Sequence, residues 1–379
     1  MRKVIDAVYK YVRESDTFLL VICLISSVYG LLLIKSTTRH TAGDRSVLIQ
    51  IIAMVLGIGL YILMSLIDID TLADKSRLLF FVSAAFISTL FIWGKAGDTV
   101  NKAWLRFGNI GIQPAEVVKV LFIIIIAHMM SDYRDRRVLN SPMSLLKIVL
   151  VFGALFALIL VASADLGSAL VYVFIMLIML FVAGTQLRWF AFLGALVAAA
   201  TPLVWKFLLT QRHRNLIMAP YDPTIDKTGL GITWQPKLSK NAIAAGKFFG
   251  QGLFKGKITQ SGNLPQQRTD FIFATAGEEL GFIGCIAIVA LLVIIISRCV
   301  YVGVRSNNSR GLLVCVGIAA MLLTQTLENI GMCMELTPVI GLTLPFFSYG
   351  GSSVVTNFAA MGIISGIKMR PKPTRFRYM

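Results

Sequence analysis

The sequence predicts an all-α, polytopic membrane protein with ten transmembrane helices, and three observations predict it. Of the 379 residues, 56% are hydrophobic, and the mean hydropathy is +0.77. A soluble chain of this length would expose far too much apolar surface. Apolar runs recur from Thr17 to Ile367, each close to the ~20 residues that cross a bilayer. The runs are continuous rather than alternating at period two, which indicates helices and not a barrel.

The spans fall near 17–34, 47–66, 78–94, 115–130, 144–162, 166–184, 189–209, 271–297, 311–332 and 349–367. The first follows Arg2, Lys3, Lys10 and Arg13 without a cleavable-signal pattern, so it reads as a retained helix. Pro114 marks the start of the fourth. The fifth and sixth are joined by almost no loop, at Ala162-Ser-Ala-Asp-Leu-Gly-Ser168. The eighth begins where a long polar loop, 210–270, re-enters apolar sequence. Before the tenth, Pro338, Gly341, Pro345, Gly350 and Gly351 exclude a regular helix.

Charge sets the expected orientation. With both termini cytoplasmic, eighteen Lys and Arg lie in the cytoplasmic segments, Lys368 to Arg377 included, against six in the short outer loops. That matches the positive-inside rule, and it accounts for a net charge of +17 without nucleic acid as a partner. The 210–270 loop is then extracytoplasmic, although it carries nine cations; long loops translocate largely regardless of charge. Its interleaved Lys, Arg and Gly suit either anionic lipid headgroups or a phosphorylated ligand that backbone N–H groups approach closely. Residues 241–249 within it read as a short amphipathic helix on the membrane surface. Cys23, Cys285, Cys299, Cys315 and Cys333 form no Cys-x-x-Cys motif and read as small core residues. His40, His128 and His213 are scattered, which argues against a histidine metal site.

Chemistry must therefore rest on carboxylates and cations. Asp270 stands where the basic loop meets hydrocarbon, with Arg268 two residues away. An ionisable group there is a functional candidate; capping of the eighth span is the structural alternative. Glu116 and Lys119 share one helix face and can pair. The pair suits a structural network and a pyrophosphate site equally. Asp165 reads first as a helix N-cap. Glu278 and Glu279, two turns below Asp270, are expected to pair with cations from other helices in a supporting role. Glu328 lies deep in the ninth span, and Glu335 near its outer end. The irregular segment ending in Ser348-Tyr-Gly-Gly-Ser-Ser353 belongs at a cavity wall or in a packed turn.

Several motifs in order carry a resemblance. Gln113-Pro-Ala-Glu116, Asp165-Leu-Gly167, Gln211-Arg-His-Arg214, Leu264-Pro, Thr269-Asp-Phe-Ile-Phe273, Gly277-Glu-Glu279 and Leu344-Pro-Phe-Phe-Ser-Tyr-Gly-Gly-Ser-Ser353 resemble the SEDS family (shape, elongation, division and sporulation) across essentially the whole chain, 1–379. The resemblance implies a single ten-helix domain of a peptidoglycan glycosyltransferase in the bacterial cytoplasmic membrane. It implies lipid II as substrate, a class B penicillin-binding protein as partner and membrane lipids as surroundings. Asp270 matches the essential carboxylate. Glu116 and Lys119 match positions that matter for activity. Asp165, Arg212, Arg214, Arg268, Ser348 and Ser352 are the further expected substrate contacts. Mg or Mn is compatible with a pyrophosphate leaving group. The chain departs from the family pattern at Arg268, where His is usual, and at Ser163-Ala164, where Gln-Pro is usual. A lipid II flippase is the rival expectation; it calls for internal repeats and midplane charges.

Overall fold

A computed structural model describes residues 2–39, 44–95, 102–107, 110–222, 224–306 and 308–370. His40 and the basic residues Lys372, Arg375 and Arg377 lie outside the described residues. The chain is an all-α polytopic membrane protein. Its helices in order are α1 (Arg2–Glu14), α2 (Thr17–Thr38), α3 (Asp44–Leu66), α4 (Ile69–Asp74), α5 (Ser76–Trp93), α6 (Pro114–Asp135), α7 (Pro142–Ser163), α8 (Leu166–Ala183), α9 (Leu187–Leu203), α10 (Gln211–Met218), α11 (Trp234–Gly246), α12 (Lys257–Ser261), α13 (Ile272–Val304), α14 (Ser309–Cys333) and α15 (Gly351–Met369).

Among the described residues, nine helices are long and apolar enough to cross a membrane: α2, α3, α5, α6, α7, α8, α9 with its π-helical extension Val204–Leu208, α13 and α14. Each overlaps an expected span. The remaining one, 349–367, is α15, long enough but diluted by Ser352, Ser353, Thr356, Asn357, Ser365 and Lys368. Two features were not expected. A small antiparallel sheet of order β1-β2-β3 (Gly94–Lys95, Trp104–Phe107, Ile110–Ile112) lies between α5 and α6. The 210–270 segment folds into three short helices rather than one.

The helix starts follow local chemistry. Asp16, Asp165 and Asn308 cap α2, α8 and α14, each accepting a backbone N–H from the first turn. Pro114 opens α6, where a missing N–H costs nothing. The core centres on α6 and α14, whose side chains are buried along most of their length. Gly317 of α14 lies against Ile123 of α6 and Met179 of α8. By contrast, α9 has no buried residue. The five cysteines are buried and free.

At the end of the bundle remote from Asp270, a fully buried carboxylate ties four helices. Asp16 accepts from Arg298 Nε at 2.9 Å and lies 3.5 Å from Lys368 Nζ. Its backbone N–H donates to Ser365, and its carbonyl accepts from Tyr61. A buried carboxylate is tolerable only when its lone pairs are filled in this way.

The helix α11 does not simply lie on a membrane surface. It starts at Trp234, earlier than expected, and buries Pro236, Ser239, Ala242 and Gly246 against the rest of the protein. Gly246 rides on the backbone of α13: a Cβ there would come 1.8 Å from the Gly277 carbonyl oxygen. Just beyond, α13 breaks at Gly281, whose φ of 67° is left-handed. The polar groups freed by the break are satisfied by the neighbouring loop. Gln251 and Gly252 N–H donate to the Glu278 and Glu279 carbonyls, and Phe282 and Ile283 N–H donate to the Lys247 and Phe248 carbonyls. Such a break is permitted at membrane depth because protein covers it.

Gly246→Val should lower the thermal midpoint of the purified protein, with a cost of about 3 kcal/mol, the upper part of the overpacking range. Thermal unfolding in detergent measures this; an unchanged midpoint would contradict the backbone contact.

Candidate active site

The site is built where the first residues before α13 meet the segment that follows α14. The Gln266 carbonyl accepts the backbone N–H groups of Thr269, Asp270 and Phe271, a turn that sets Asp270 just above α13. The Asp270 carbonyl is fixed from α14: Asn329 Nδ2 donates to Asp270 O at 2.8 Å and to Leu342 O at 2.7 Å. One turn on, Cys333 Sγ lies 3.6 Å from the same Asp270 oxygen. One buried amide therefore locks two chain segments together, and the neighbouring thiol sits against one of them.

Ser348 performs the same service from the other side. Its hydroxyl donates to the Thr269 carbonyl and accepts the Leu344 N–H at 2.8 Å. The Ser348 carbonyl in turn accepts from Gln50 of α3 at 3.2 Å, and Gln50 accepts the Gly350 N–H. Tyr349 N–H donates to the Arg268 carbonyl at 2.8 Å. The Ser348-to-Gly350 turn is thus a clamp on 268–269.

The Asp270 side chain is half-buried and lies close to Gly341, where an added Cβ would stand 3.4 Å from Oδ2. Among the described residues no cation forms an ion pair with it. Burial raises its carboxyl to about 6; the Thr269 hydroxyl opposes that rise, and the charge of Asp165 adds to it. Asp165 approaches the same segment from α8. A Cβ added at the neighbouring Gly167 would come 2.5 Å from the Ile340 carbonyl oxygen and 3.4 Å from Asp165 Oδ1. The two acids thus flank the Ile340–Gly341 backbone.

Asp165 is an N-cap, as its position suggested, and it does more. Oδ1 accepts from Ser168 N–H at 3.0 Å, and Oδ2 accepts from Ser168 Oγ at 2.7 Å and from Gln113 Nε2 at 2.8 Å. Gln113 N–H donates to Ser352 Oγ at 3.4 Å. Through Gln113 the starts of α6, α8 and α15 converge. A turn below, Lys119 Nζ lies 2.6 Å from Glu116 Oε1, with both residues buried. Their charges cancel, which is the condition for holding either in the bundle.

The cations are dispersed. Arg268 donates to Ser46 Oγ at 3.1 Å and stacks on Tyr349 at 5.1 Å, with no ion pair among the described residues. Arg214 donates to the Lys206 carbonyl at 2.9 Å. Arg212 is exposed on α10. Neither α10 arginine forms an ion pair with Asp270, Asp165 or Glu116 among the described residues. Among those residues Glu278 and Glu279 meet no cation either, against expectation. Glu278 accepts from Ile258 N–H, Thr259 N–H and Thr259 Oγ1 at 2.7 to 2.8 Å, capping α12. Glu279 accepts from Ser36 Oγ at 2.7 Å and Gln260 Nε2 at 2.9 Å. Backbone, hydroxyl and amide donors replace the expected ion pairs because the folded loop, together with Ser36 of α2, brings them to the right depth.

Sequence reasoning did not single out Gln113, Asn329, Cys333 or Gln50 as site residues. Gln113 and Asn329 stand close in sequence to the acids Glu116 and Glu328. Gln50, alone in an apolar helix, carries a weaker signal: a polar amide at membrane depth needs a partner.

Comparison with known proteins supports one placement. The family model described as "Cell cycle protein", FtsW/RodA/SpoVE, matches residues 16–372. The chain is 32% identical over 370 residues to the probable peptidoglycan glycosyltransferase FtsW of Trichlorobacter lovleyi, covering 94% of this chain and 95% of that protein. It is 30% identical over 357 residues to the peptidoglycan glycosyltransferase MrdB of Escherichia coli, covering 94% of each. The crystal structure of the rod shape determining protein RodA of Thermus thermophilus superposes with a TM-score of 0.68 at 23% identity, covering 93% of this chain and 96% of that one. A chain from a peptidoglycan synthase complex superposes with a TM-score of 0.78 at 23% identity, covering 93% and 97%. The chain belongs to the FtsW/RodA/SpoVE family.

Proposed function

We propose that the protein is a peptidoglycan glycosyltransferase that polymerises lipid II into β-1,4 glycan, with Asp270 as general base. The observation that carries the reading is a half-buried carboxylate with no cationic partner among the described residues, raised to about 6 and set against the Gly341 segment. The names of the relatives support the reaction class.

The acceptor is a sugar 4-hydroxyl, a poor nucleophile until its proton leaves. Asp270 takes that proton as the oxygen attacks the donor's anomeric carbon. The bond from that carbon to the lipid pyrophosphate breaks, and pyrophosphate departs with the electron pair. Attack from the opposite face inverts the α-linked donor to a β product. A carboxyl near 6 is ionised at neutral pH yet basic enough to accept a proton, which an ion-paired aspartate is not. Pyrophosphate is already a good leaving group, so the site needs positive charge rather than a strong acid. Arg268, held by one hydroxyl and one ring, has charge to spare. Arg212 and Arg214 are the more distant candidates. Lys119 is matched by Glu116, and the pair is read as support beneath the site.

Among the described residues no three His, Cys, Asp or Glu side chains converge. Those residues therefore build no closed metal cage of their own. Mg or Mn would need the substrate's phosphates for most of its ligands, with at most the Asp165 carboxylate from the protein; the cation would neutralise the departing pyrophosphate. Three of Asp165's acceptor sites are already taken, two by Ser168 and one by Gln113. We read the protein as resident in the bacterial cytoplasmic membrane, with both termini cytoplasmic and residues 210–270 extracytoplasmic. A class B penicillin-binding protein is the proposed partner, supported by the similar fold of a chain from a peptidoglycan synthase complex.

Asp270→Asn should leave the fold and thermal midpoint intact and reduce polymerisation of purified lipid II by at least about 10²-fold, the lower range for a lost general base. Full retention of activity would end the assignment. The wild-type rate should be half-maximal near pH 6 and fall about tenfold per pH unit below it, because protonated Asp270 cannot accept the hydroxyl proton. A flat profile between about pH 5 and 7 would count against this base. Lys119→Met should destabilise the protein by about 3–5 kcal/mol, leaving a buried charge without its partner. Adding Glu116→Gln should recover part of that loss; an additive double mutant would mean that the two groups do not act as a pair.

A further inference from the structure

Asp270 is fixed through its backbone, and one side chain supplies the last constraint. Its N–H donates to the Gln266 carbonyl at 3.0 Å. The peptide before it is held at the Thr269 carbonyl by Ser348 Oγ. Its own carbonyl accepts from Asn329 Nδ2 at 2.8 Å. The first N–H groups of α13 do not serve that oxygen, because those of Ala274 and Thr275 go to the Phe271 carbonyl. With the N–H and the carbonyl both pinned, the tetrahedral Cα fixes the direction of Cβ. Only rotation about the side-chain bonds remains, the first of them confined to staggered wells.

The other hydrogen of the same amide reaches across the site. Asn329 Nδ2 also donates to the Leu342 carbonyl at 2.7 Å. Leu342 follows Gly341, the residue that lies against Asp270 Oδ2. An NH2 group directs its hydrogens about 120° apart, so two bonds of this length hold the carbonyl oxygens about 5 Å from each other. One planar group thereby sets the direction of the carboxylate and its distance from the backbone opposite.

Asn329 is costly where it stands. It is fully buried in the interior of α14, where asparagine is a poor helix former and an amide must be paired. Both of its hydrogens go to the segments that bound the site. Its platform is stiff. Ser239 Oγ of α11 donates to the Cys333 carbonyl at 2.8 Å, and Lys240 Nζ meets Glu335 Oε2 at 3.2 Å, so the end of α14 is tied to a second helix.

We propose that Asn329 is a positioning residue for glycosyl transfer: through the two carbonyls it holds, it aims the Asp270 carboxylate at the acceptor hydroxyl and keeps the Gly341 backbone at a fixed distance from it. The inference rests on the proposed glycosyltransferase activity and adds to it the residue on which the aim of the base depends. The acceptor oxygen must lie within hydrogen-bond reach of the base and in line with the anomeric carbon, and a displacement of about 1 Å costs about 10²-fold in rate. A side chain that only paired buried carbonyls would lower stability and leave turnover by the folded protein alone.

The test is steady-state kinetics of purified full-length protein on lipid II, beside thermal unfolding. Asn329→Ala should lower kcat about 10²-fold and change KM less than about threefold, the pattern of an interaction felt in the transition state alone. Asn329→Gln keeps the amide but displaces it by one methylene, and should recover part of that loss with KM again unchanged. Leu322→Ala, two turns below on α14 and fully buried, is the comparison. It should lower the thermal midpoint and leave kcat per folded protein unchanged. Equal losses of kcat in Asn329→Ala and Leu322→Ala, an effect confined to KM, or an unchanged kcat would overturn the proposal. If Asn329→Ala does not fold, Asn329→Gln decides: a fall in kcat of about tenfold supports the proposal, and none overturns it. Should the wild type not polymerise lipid II, the proposed activity fails. Labelling of Asp270 by dicyclohexylcarbodiimide, followed by mass spectrometry, then still decides the positioning. Severalfold faster labelling in Asn329→Gln than in wild type and Leu322→Ala supports it, and equal rates overturn it.

Discussion

No backbone polar group can be left unpaired at membrane depth, and that constraint governs how Asp270 is held. The helix α13 breaks at Gly281, which frees carbonyls and N–H groups where lipid offers them nothing. The loop from Lys247 to Gly252 supplies partners for them, and Gly246 allows the approach. The loop is held in turn by Glu278 and Glu279, whose side chains accept from α12, Ser36 and Gln260. A segment that reads as a water-facing connection is therefore part of the wall of the bundle, and Asp270 stands on a fixed base.

The acids divide by what fills their lone pairs. Asp16 is filled by two cations and Glu116 by one. Glu278 and Glu279 are filled by neutral donors, and Asp165 by its own cap and Gln113. These are structural solutions to the cost of burial. Asp270 is held through its backbone, by Asn329 and by the turn at Gln266, while its side chain is left without a cation among the described residues. That separation lets a carboxyl sit rigidly and still be shifted upward toward neutrality, the property a proton acceptor needs.

The same logic explains why the cations are dispersed. Loop residues with spare charge, such as Arg268 and Arg212, lie at edges where a ligand can reach them, and the buried Lys119 is neutralised. A permanent cation beside Asp270 would hold its carboxyl low and cost it basicity. Charge for a departing pyrophosphate is best kept at a distance from the base and brought in with the substrate.

Apolar run length by itself determined the helical class and the approximate spans, because crossing hydrocarbon demands about 20 apolar residues and forces helices. It also determined which acids stood out, since a carboxylate at the edge of hydrocarbon is costly wherever the chain places it. Tertiary structure alone decided their partners. Glu278 and Glu279 found neutral donors from the loop and from α2 instead of cations, Asp165 met Gln113 from another helix, and residues 241–246 joined a helix packed on α13. The physical reason is range. Hydrophobic period and capping act within a few residues, whereas the pairing of a buried polar group depends on which distant segment the fold brings within about 3 Å of it.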